Sequence, residues 1–490
     1  MTLEKMVVID GSGAEPFCAD VVIEGGRIAA VNRREGAGSG AVVAPGFIDL
    51  HSHSDLQVLE AERREKLLQG VTTEVVGNCG FSPFPQGSHE HELCEFGGGI
   101  LGKRDGWGWP SAAAYLKAAE ESSGPVRVAS LAGHGSLRVA VAGLSQDPLT
   151  SRQMDQLEGL LDDSLGDGCV GFSTGLMYAP GSSAGPAELE PLCRVVARHG
   201  KLYTTHMRSY SDGLVTAARE QIALARATGC RLQISHLQAA GRANWELQHQ
   251  ALDEIEEARA EGIDVEFDIY PYQCGSTVLT QWLPDWCLEG GPAALLARLA
   301  TPEIRERIRD EAEQRKAQEW SDITISGCAN ESLVGKTIAE LGELRGVAPV
   351  DAALDLLVQE NVAVNVISFN QSEANLRQLL THPLCSVISD GFYVNGRPHP
   401  RLHGTFPELL GNVVRERGWM GLPEAVHKIT GKPAARLGLK DRGLVKEGYA
   451  ADLTVFDAAA IRSRATYETP DLSPVGILQV IRNGNVETCV

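Results

Sequence analysis

The sequence predicts an α/β protein: a (β/α)8 TIM-like barrel, a small β-sandwich domain built from both termini, and an insertion after barrel strand 7. Three observations predict it. Eight short apolar strands recur through the middle of the chain, helical stretches separate many of them, and the two ends share a different texture of short strands and turns. Strands that alternate with helices pair in parallel, and eight such units close a barrel whose active site lies at the C-terminal ends of the strands.

The elements follow in order. Residues 1–44 carry "KMVVIDGSG", "ADVVIEGGRIAAV" and "GAVVAPG", apolar runs punctuated by turn residues. The barrel strands are "GFIDLHSH", "VTTEVVGN", "VRVASLAGH", "CVGFSTG", "KLYTTH", "RLQISH", "DVEFDIYPY" and "CSVISD". Between them, stretches such as "AELEPLCRVVARHG" and "VTAAREQIALARATG" read as helices. More than a hundred residues separate the last two strands. There "TPEIRERIRDEAEQRK" reads as an exposed helix with Thr301 as N-cap and Pro302 in its first turn. "SDITISGCANESLVGKTIAELGE" reads as strand, turn and helix. An inserted subdomain is expected at 284–345, near the barrel mouth, as a lid or as decoration. The barrel then occupies 45–283 and 346–432, and 433–490 returns to the terminal β domain with a hairpin at Asn483-Gly484.

Composition narrows the function. Hydrophobic residues make up 43% and charged residues 22%, as in ordinary globular proteins. The formal net charge of −20 argues against nucleic-acid binding, which needs a basic footprint. No apolar run approaches the ~18 residues of a membrane span. The opening "MTLEKMVVIDGSG" lacks a signal-peptide core, so a cytoplasmic location is expected. Eleven cysteines without a CxxC pair read as reduced thiols, mostly buried.

The chemistry lies where the strands stop. Strand one stops at His51 and His53, followed by Asp55. Strand two runs into Cys79, strand three stops at His134, strand five at His206, strand six at His236 and strand eight at Asp390. A His-x-His pair alone is a weak signal that reads more readily as two imidazoles hydrogen-bonded in a polar core, and Asp390-Gly391 alone reads as a turn. Metal-type residues at the same end of separate strands are another matter, because chance would scatter them along the strands. Thiolate, imidazole and carboxylate together suit zinc. A water held there is acidified from ~15.7 towards ~7. Asp390 is the expected general acid/base, taking that water's proton and passing it to a leaving amine.

Two rival motifs fail. "GFSTG", 171–175, matches the G-x-S-x-G nucleophile elbow around Ser173, but "LMYAPG" follows it where a helix is required. "GKT", 335–337, ends like a phosphate-binding loop, but Asn330 stands where the first glycine belongs.

Taken together, "APGFIDLHSHSD", "GVTTEVVGNCG", "GFSTGLMYAPG", "THMRS", "SHLQAAGRANW", "DIYPY", "ISDG" and "RPHPRLHGTFPELLG" resemble the amidohydrolase superfamily, and within it the N-acyl-D-amino-acid deacylases (D-aminoacylases). Many amidohydrolases bridge two metals with a carboxylated lysine on strand four. This chain has no lysine in "CVGFSTGLMY", and Cys79 matches the bridging cysteine of the deacylases. The resemblance implies a tight zinc on Cys79, His206 and His236, and a weaker second site at His51, His53, Cys79 and Asp390. It implies substrate contacts at Tyr178, Tyr272, Ser276 and Arg401, with Gln238 and His134 at the same mouth. Gln238 departs from the family's "SHxK" lysine, and a neutral amide donates hydrogen bonds without charge. The N-terminus is also about a strand shorter than the family pattern. The expected function is zinc-dependent hydrolysis of a linear amide, most plausibly of a small N-acyl-D-amino acid. The alternatives are a cyclic-amide hydrolase of hydantoinase type and a non-catalytic metal-binding scaffold.

Overall fold

The computed structural model describes residues 1–36, 38–102, 107–122 and 124–489. The chain opens with β1 (Thr2–Val8), β2 (Phe17–Glu24), β3 (Arg27–Arg33) and β4 (Ala41–Pro45). Seven barrel strands follow: β5 (Phe47–Asp49), β6 (Val71–Val76), β7 (Arg127–Gly133), β8 (Gly171–Gly175), β9 (Leu202–His206), β10 (Arg231–Ile234) and β11 (Val265–Ile269). β12 (Cys274–Val278), β13 (Ile323–Gly327) and β14 (Asn365–Phe369) interrupt the series, and β15 (Cys385–Val387) completes it. β16 (Leu453–Asp457), β17 (Ile477–Arg482) and β18 (Asn485–Cys489) end the chain.

The eight barrel strands pair in chain order, all in parallel, from β5 to β15. β8, β9 and β11 are buried at every residue, as a sheet covered on both faces requires. The ring closes just beyond β5 and β15, where Ser52 bridges Gly391 in parallel. There Asp390 N donates to His51 O at 2.8 Å and His53 N to Gly391 O at 3.0 Å. Helices on the outside cover the strands. The helix Ser151–Gly166, for example, starts at a capping box between Thr150 and Gln153, which satisfies two otherwise orphaned donors.

Both chain ends join one seven-stranded sheet, in the order β18-β17-β16-β4-β1-β2-β3. Val8, Val21, Val43, Leu453 and Ile481 belong to its own core. Val42, Phe456 and Val480 turn instead into the barrel's cluster, where Phe456 meets Phe47 edge-on at 6.2 Å.

The insertion is an antiparallel sheet in the order β12-β14-β13 with its own apolar core, including Leu279, Ile308, Ile325, Leu354 and Val366. Its strands run from Cys274 to Phe369, past both ends of the expected 284–345. The reason is pairing: "CGSTV" and "NVISF" carry little apolar alternation of their own and become strands by bonding to each other. Thr301 does precede the helix Pro302–Arg315, but its hydroxyl donates back to Ala297 O at 3.2 Å and caps nothing. "GKT" proves to be a helix start, with Thr337 and Glu340 forming a capping box on Ile338–Arg345. Among the described residues no helix is long and apolar enough to cross a membrane.

Candidate active site

The barrel strands deliver the expected residues to one place. His51 and His53 follow β5 on the same side of the chain. Nε2 of His51 lies 3.3 Å from Cys79 Sγ and 3.3 Å from Asp390 Oδ1, and Nε2 of His53 lies 3.2 Å from the same Asp390 oxygen. Nε2 of His236 is 3.4 Å from Cys79 Sγ. Two groups therefore share His51: His51, Cys79 and His236, and His51, His53 and Asp390, each with ligand atoms within 4.8 Å of one another. His206 stands alongside, its ring 4.6 Å from that of His236.

Backbone conformation shapes this cluster. Cys79, His236 and Asp390 have φ of +52°, +36° and +48°, in the left-handed region that residues with a Cβ rarely enter. Such positions cost of order 1–3 kcal/mol each and persist where surrounding structure over-determines them. That surrounding structure is visible. Ser173 Oγ accepts from Gly80 N at 3.0 Å and donates to Gly77 O, pinning the turn that carries Cys79. Gly175 is required beside it, because a Cβ there would stand 2.0 Å from Cys79 O. The G-x-S-x-G stretch is thus a clamp for the cysteine turn. Asp268, on β11, accepts from His236 N at 2.7 Å and from Gln233 Nε2 at 3.0 Å, and lies 3.5 Å from His51 Nδ1. It leaves Nε2 of His51 facing the cluster, as an outer carboxylate does for a ligating imidazole.

The donor set fits a metal ion. Both ring nitrogens of His206 and Nδ1 of His53 and His236 are buried without a hydrogen-bond partner. Burial drives His206 down to about 3, so its imidazole is neutral and free to ligate. Burial pushes the Cys79 thiol up to about 11, although His51 opposes it, and a coordinated cation would be needed to hold the thiolate. Burial also disfavours ionised Asp390, but Arg401, His51 and His53 outweigh it and keep the carboxyl well below its usual range.

A cavity of about 610 Å³ opens over the cluster between barrel and insertion. His53, Cys79, His206, His236 and Asp390 form its floor, and Tyr178, Gln238, Tyr270, Ser276 and Asn370 are in its wall. Gln238 Oε1 accepts from Asn370 Nδ2 at 3.1 Å and from the Tyr270 hydroxyl at 3.4 Å. That leaves its NH2 for the cavity. The Tyr178 hydroxyl bonds Thr277 Oγ1 at 3.2 Å, and Ser276 Oγ donates to Val366 O at 3.0 Å. Arg401 is 1% exposed and sits behind Asp390, with its guanidinium 3.0 Å from Asp390 Oδ2, 3.3 Å from Ser276 O and over the Tyr270 ring.

Besides Arg401, which is not among the residues lining the cavity, two expected contacts lie elsewhere. His134 begins the helix Gly133 caps, and its Nε2 is taken by Glu188 at 2.8 Å, a carboxylate that also holds Arg138. Tyr272 packs edge-on against His399 at 5.1 Å, outside the cavity wall, because β11 ends at Ile269 and the chain turns before it. Tyr270 takes the place expected of Tyr272. Asp268, Tyr270 and Asn370 were not foreseen. Asp268 has a faint sequence signal, since Glu266 and Asp268 alternate in an otherwise apolar strand. Asp55 stays off the cluster, its Oδ1 accepting from Gly77 N at 2.8 Å.

The model of an amidohydrolase family matches residues 39–487. An N-acyl-D-glutamate deacylase of Alcaligenes xylosoxydans xylosoxydans is 37% identical, over 99% of this chain and 92% of its own. A D-aminoacylase of the same organism is 33% identical, over 97% of this chain and 92% of its own. Among solved structures, an N-acyl-D-glutamate deacylase from Bordetella bronchiseptica, complexed with zinc and a phosphonate mimic of the tetrahedral intermediate, superposes with a TM-score of 0.83 at 34% identity, covering 99% of this chain and 95% of that one. An L-hydantoinase from Arthrobacter aurescens, at 16% identity and a TM-score of 0.54 over 99% of this chain and 95% of its own, shares the fold alone. Cluster, barrel and likeness agree: this chain belongs to the amidohydrolase family, in its D-aminoacylase group.

Proposed function

We propose that the protein hydrolyses the linear amide of an N-acyl-D-amino acid, releasing a carboxylic acid and the free D-amino acid. The observation that carries this reading is the pair of ligand groups sharing His51, with a buried, ionised Asp390 in one of them, on the floor of a cavity. Cys79, His206 and His236 would hold a tight zinc, with His51, His53 and Asp390, and Cys79 shared, available to a second. Bound there, zinc supplies Lewis acidity and lowers the pKa of a water towards ~7.

The chain's own residues do the rest. Asp390 accepts the proton of the attacking water and delivers it to the amide nitrogen as the C–N bond breaks. Arg401 keeps Asp390 ionised for the first of these roles. Nε of Arg401 has no hydrogen-bond partner, and although the residue lies behind Asp390 and outside the cavity lining, its charge favours a substrate α-carboxylate bound on the other side of that carboxylate's wall. The free NH2 of Gln238 adds a neutral donor where relatives place a lysine. The ten described cysteines are all free, which supports a reducing, cytoplasmic setting.

The test is metal analysis with a screen of matched N-acyl-D- and N-acyl-L-amino acids. Zinc near one equivalent per chain and release of free D-amino acid are expected. Opening of hydantoin rings in preference to linear amides would overturn the reading. So would metal-replete protein with no turnover, which is what a scaffold would give.

A further inference from the structure

A second cavity, of about 660 Å³, lies beyond Tyr178. It shares Ile100, Tyr178, Thr280, Gln281 and Leu288 with the cavity over the ligand cluster, so the two are contiguous. Their characters differ. The first mixes amides, hydroxyls and charged groups with apolar side chains such as Leu176, Met177 and Phe392. The second is walled largely by Phe81, Phe96, Leu144, Val278, Leu296 and Val364. Its size is that of a site for a sizeable organic group, and an apolar lining gains free energy only from an apolar occupant.

The junction is built at the reacting centre. Phe81 sits two residues after the ligand Cys79, stacks on Phe96 at 4.6 Å and meets Tyr178 edge-on at 4.9 Å. On its other side the Tyr178 ring lies 4.9 Å from His206. One aromatic ring thus borders both the ligand cluster and the apolar chamber. The Gln238, Tyr270 and Asn370 wall, with Arg401 behind it, can bond the carboxylate of the amino-acid half of a linear amide. The other half has to leave the cluster in another direction, and the one that opens past Tyr178 is apolar.

We infer that the chamber beyond Tyr178 binds the acyl group, and that the preferred substrates carry a medium-to-long aliphatic acyl chain rather than acetyl. The inference rests on the amide hydrolysis proposed above and specifies its acyl half. Each buried methylene is worth up to about fourfold in binding. Partial burial of an octanoyl or decanoyl chain then gives at least a tenfold advantage over acetyl.

The experiment measures kcat/KM for N-acetyl, N-butanoyl, N-octanoyl and N-decanoyl derivatives of one D-amino acid, with wild type, Leu296→Trp and Leu144→Trp. The wild type is expected to improve at least tenfold from acetyl to octanoyl. Each tryptophan fills the chamber, and should remove that gain while leaving N-acetyl turnover within about twofold. Loss of acetyl turnover in one variant shifts the comparison to the other and to decanoate binding. A flat or falling series in the wild type overturns the inference, as does an equal gain from lengthening the amino-acid side chain at fixed acetyl. Calorimetry with sodium decanoate separates the two readings. Decanoate bound by wild type and lost in Leu296→Trp upholds the chamber even if no N-acyl amino acid is turned over. Good turnover of N-acetyl substrates with no decanoate binding leaves the hydrolase standing and removes the chamber.

Discussion

The ligand ring at the strand ends and the wall contributed by the insertion border one cavity but are built in opposite ways. In the ring, His206 has two unpartnered nitrogens, His53 and His236 have one each, and three residues hold left-handed backbone. In the wall the polar groups mostly bond one another, and the Gln238 NH2 is the donor left over. Gln318 Nε2 and Ser368 Oγ both donate to Asn370 Oδ1 at 2.9 Å, and Asn370 donates in turn to Gln238. The ring leaves imidazole nitrogens unpaired, whereas the wall holds most of its hydrogen bonds without a ligand. Changes in the ring should therefore abolish metal, chemistry or both, and changes in the wall should alter which molecules are accepted.

The largest effect is expected at Cys79. Cys79→Ala should lose tight zinc and turnover together, read by elemental analysis and assay on the same sample. Full zinc retention would remove the thiolate from the ligand set. Asp390→Asn comes next and should keep tight zinc while losing roughly 10²–10⁴ in kcat, the usual worth of a positioned acid–base group. Near-normal turnover would mean that another group moves the proton. His134, bonded to Glu188, is badly placed to do so.

Arg401 stands where ring and wall meet and sharpens the comparison. Arg401→Gln should cost about 2–5 kcal/mol in kcat/KM for free-acid substrates, and less for the same substrates amidated at the α-carboxylate. Because Arg401 depresses the pKa of Asp390, the variant should also lose activity at a higher pH on the acid side. Equal losses on acid and amide would assign the arginine to Asp390 alone. A smaller change is expected for Gln238→Lys, a several-fold gain on free acids if the amide has merely lost a charge. A loss, with wild type preferring neutral substrates, would mark a different substrate class. The smallest effect concerns movement. Hydrogen exchange of Asp390→Asn with N-acyl-D-amino acid bound should slow at 280–283 and 314–318, which line the cavity from the insertion. Unchanged exchange would make the insertion a fixed wall.

The gathering of the ring was legible in the sequence because a barrel strand of known direction puts the residues at or just past its end in a known place. His206 ends β9, and His51, His53, Cys79, His236 and Asp390 follow their strands by two to four residues, so all obey that rule. His134 satisfies it too and still points elsewhere, since its strand passes directly into a helix and the side chain reaches outward to Glu188. The resemblance put Tyr272 at the mouth, but it lies three residues past the end of β11, where the chain has already turned. The wall was less legible. β12 and β14 hold little periodicity and are defined by each other, and Asn370 acts through a network of residues up to 132 positions away. Local pattern carries no trace of such partners.

The closing seam gives the ligand ring an order of assembly. His51 and His53 lie on one lip and Asp390 on the other, and the seam is joined by the Ser52–Gly391 bridge and its two neighbouring hydrogen bonds. Beneath it, Lys66 reaches both Asp49 and Ser389 at 2.6 Å and ties the lips together. During synthesis, His51, Cys79 and His236 have all left the ribosome about 150 residues before Asp390. A nascent chain therefore carries three of the candidate ligands well before it carries the proposed acid–base group. The strand that shuts the barrel is also the one that brings that group to the cluster.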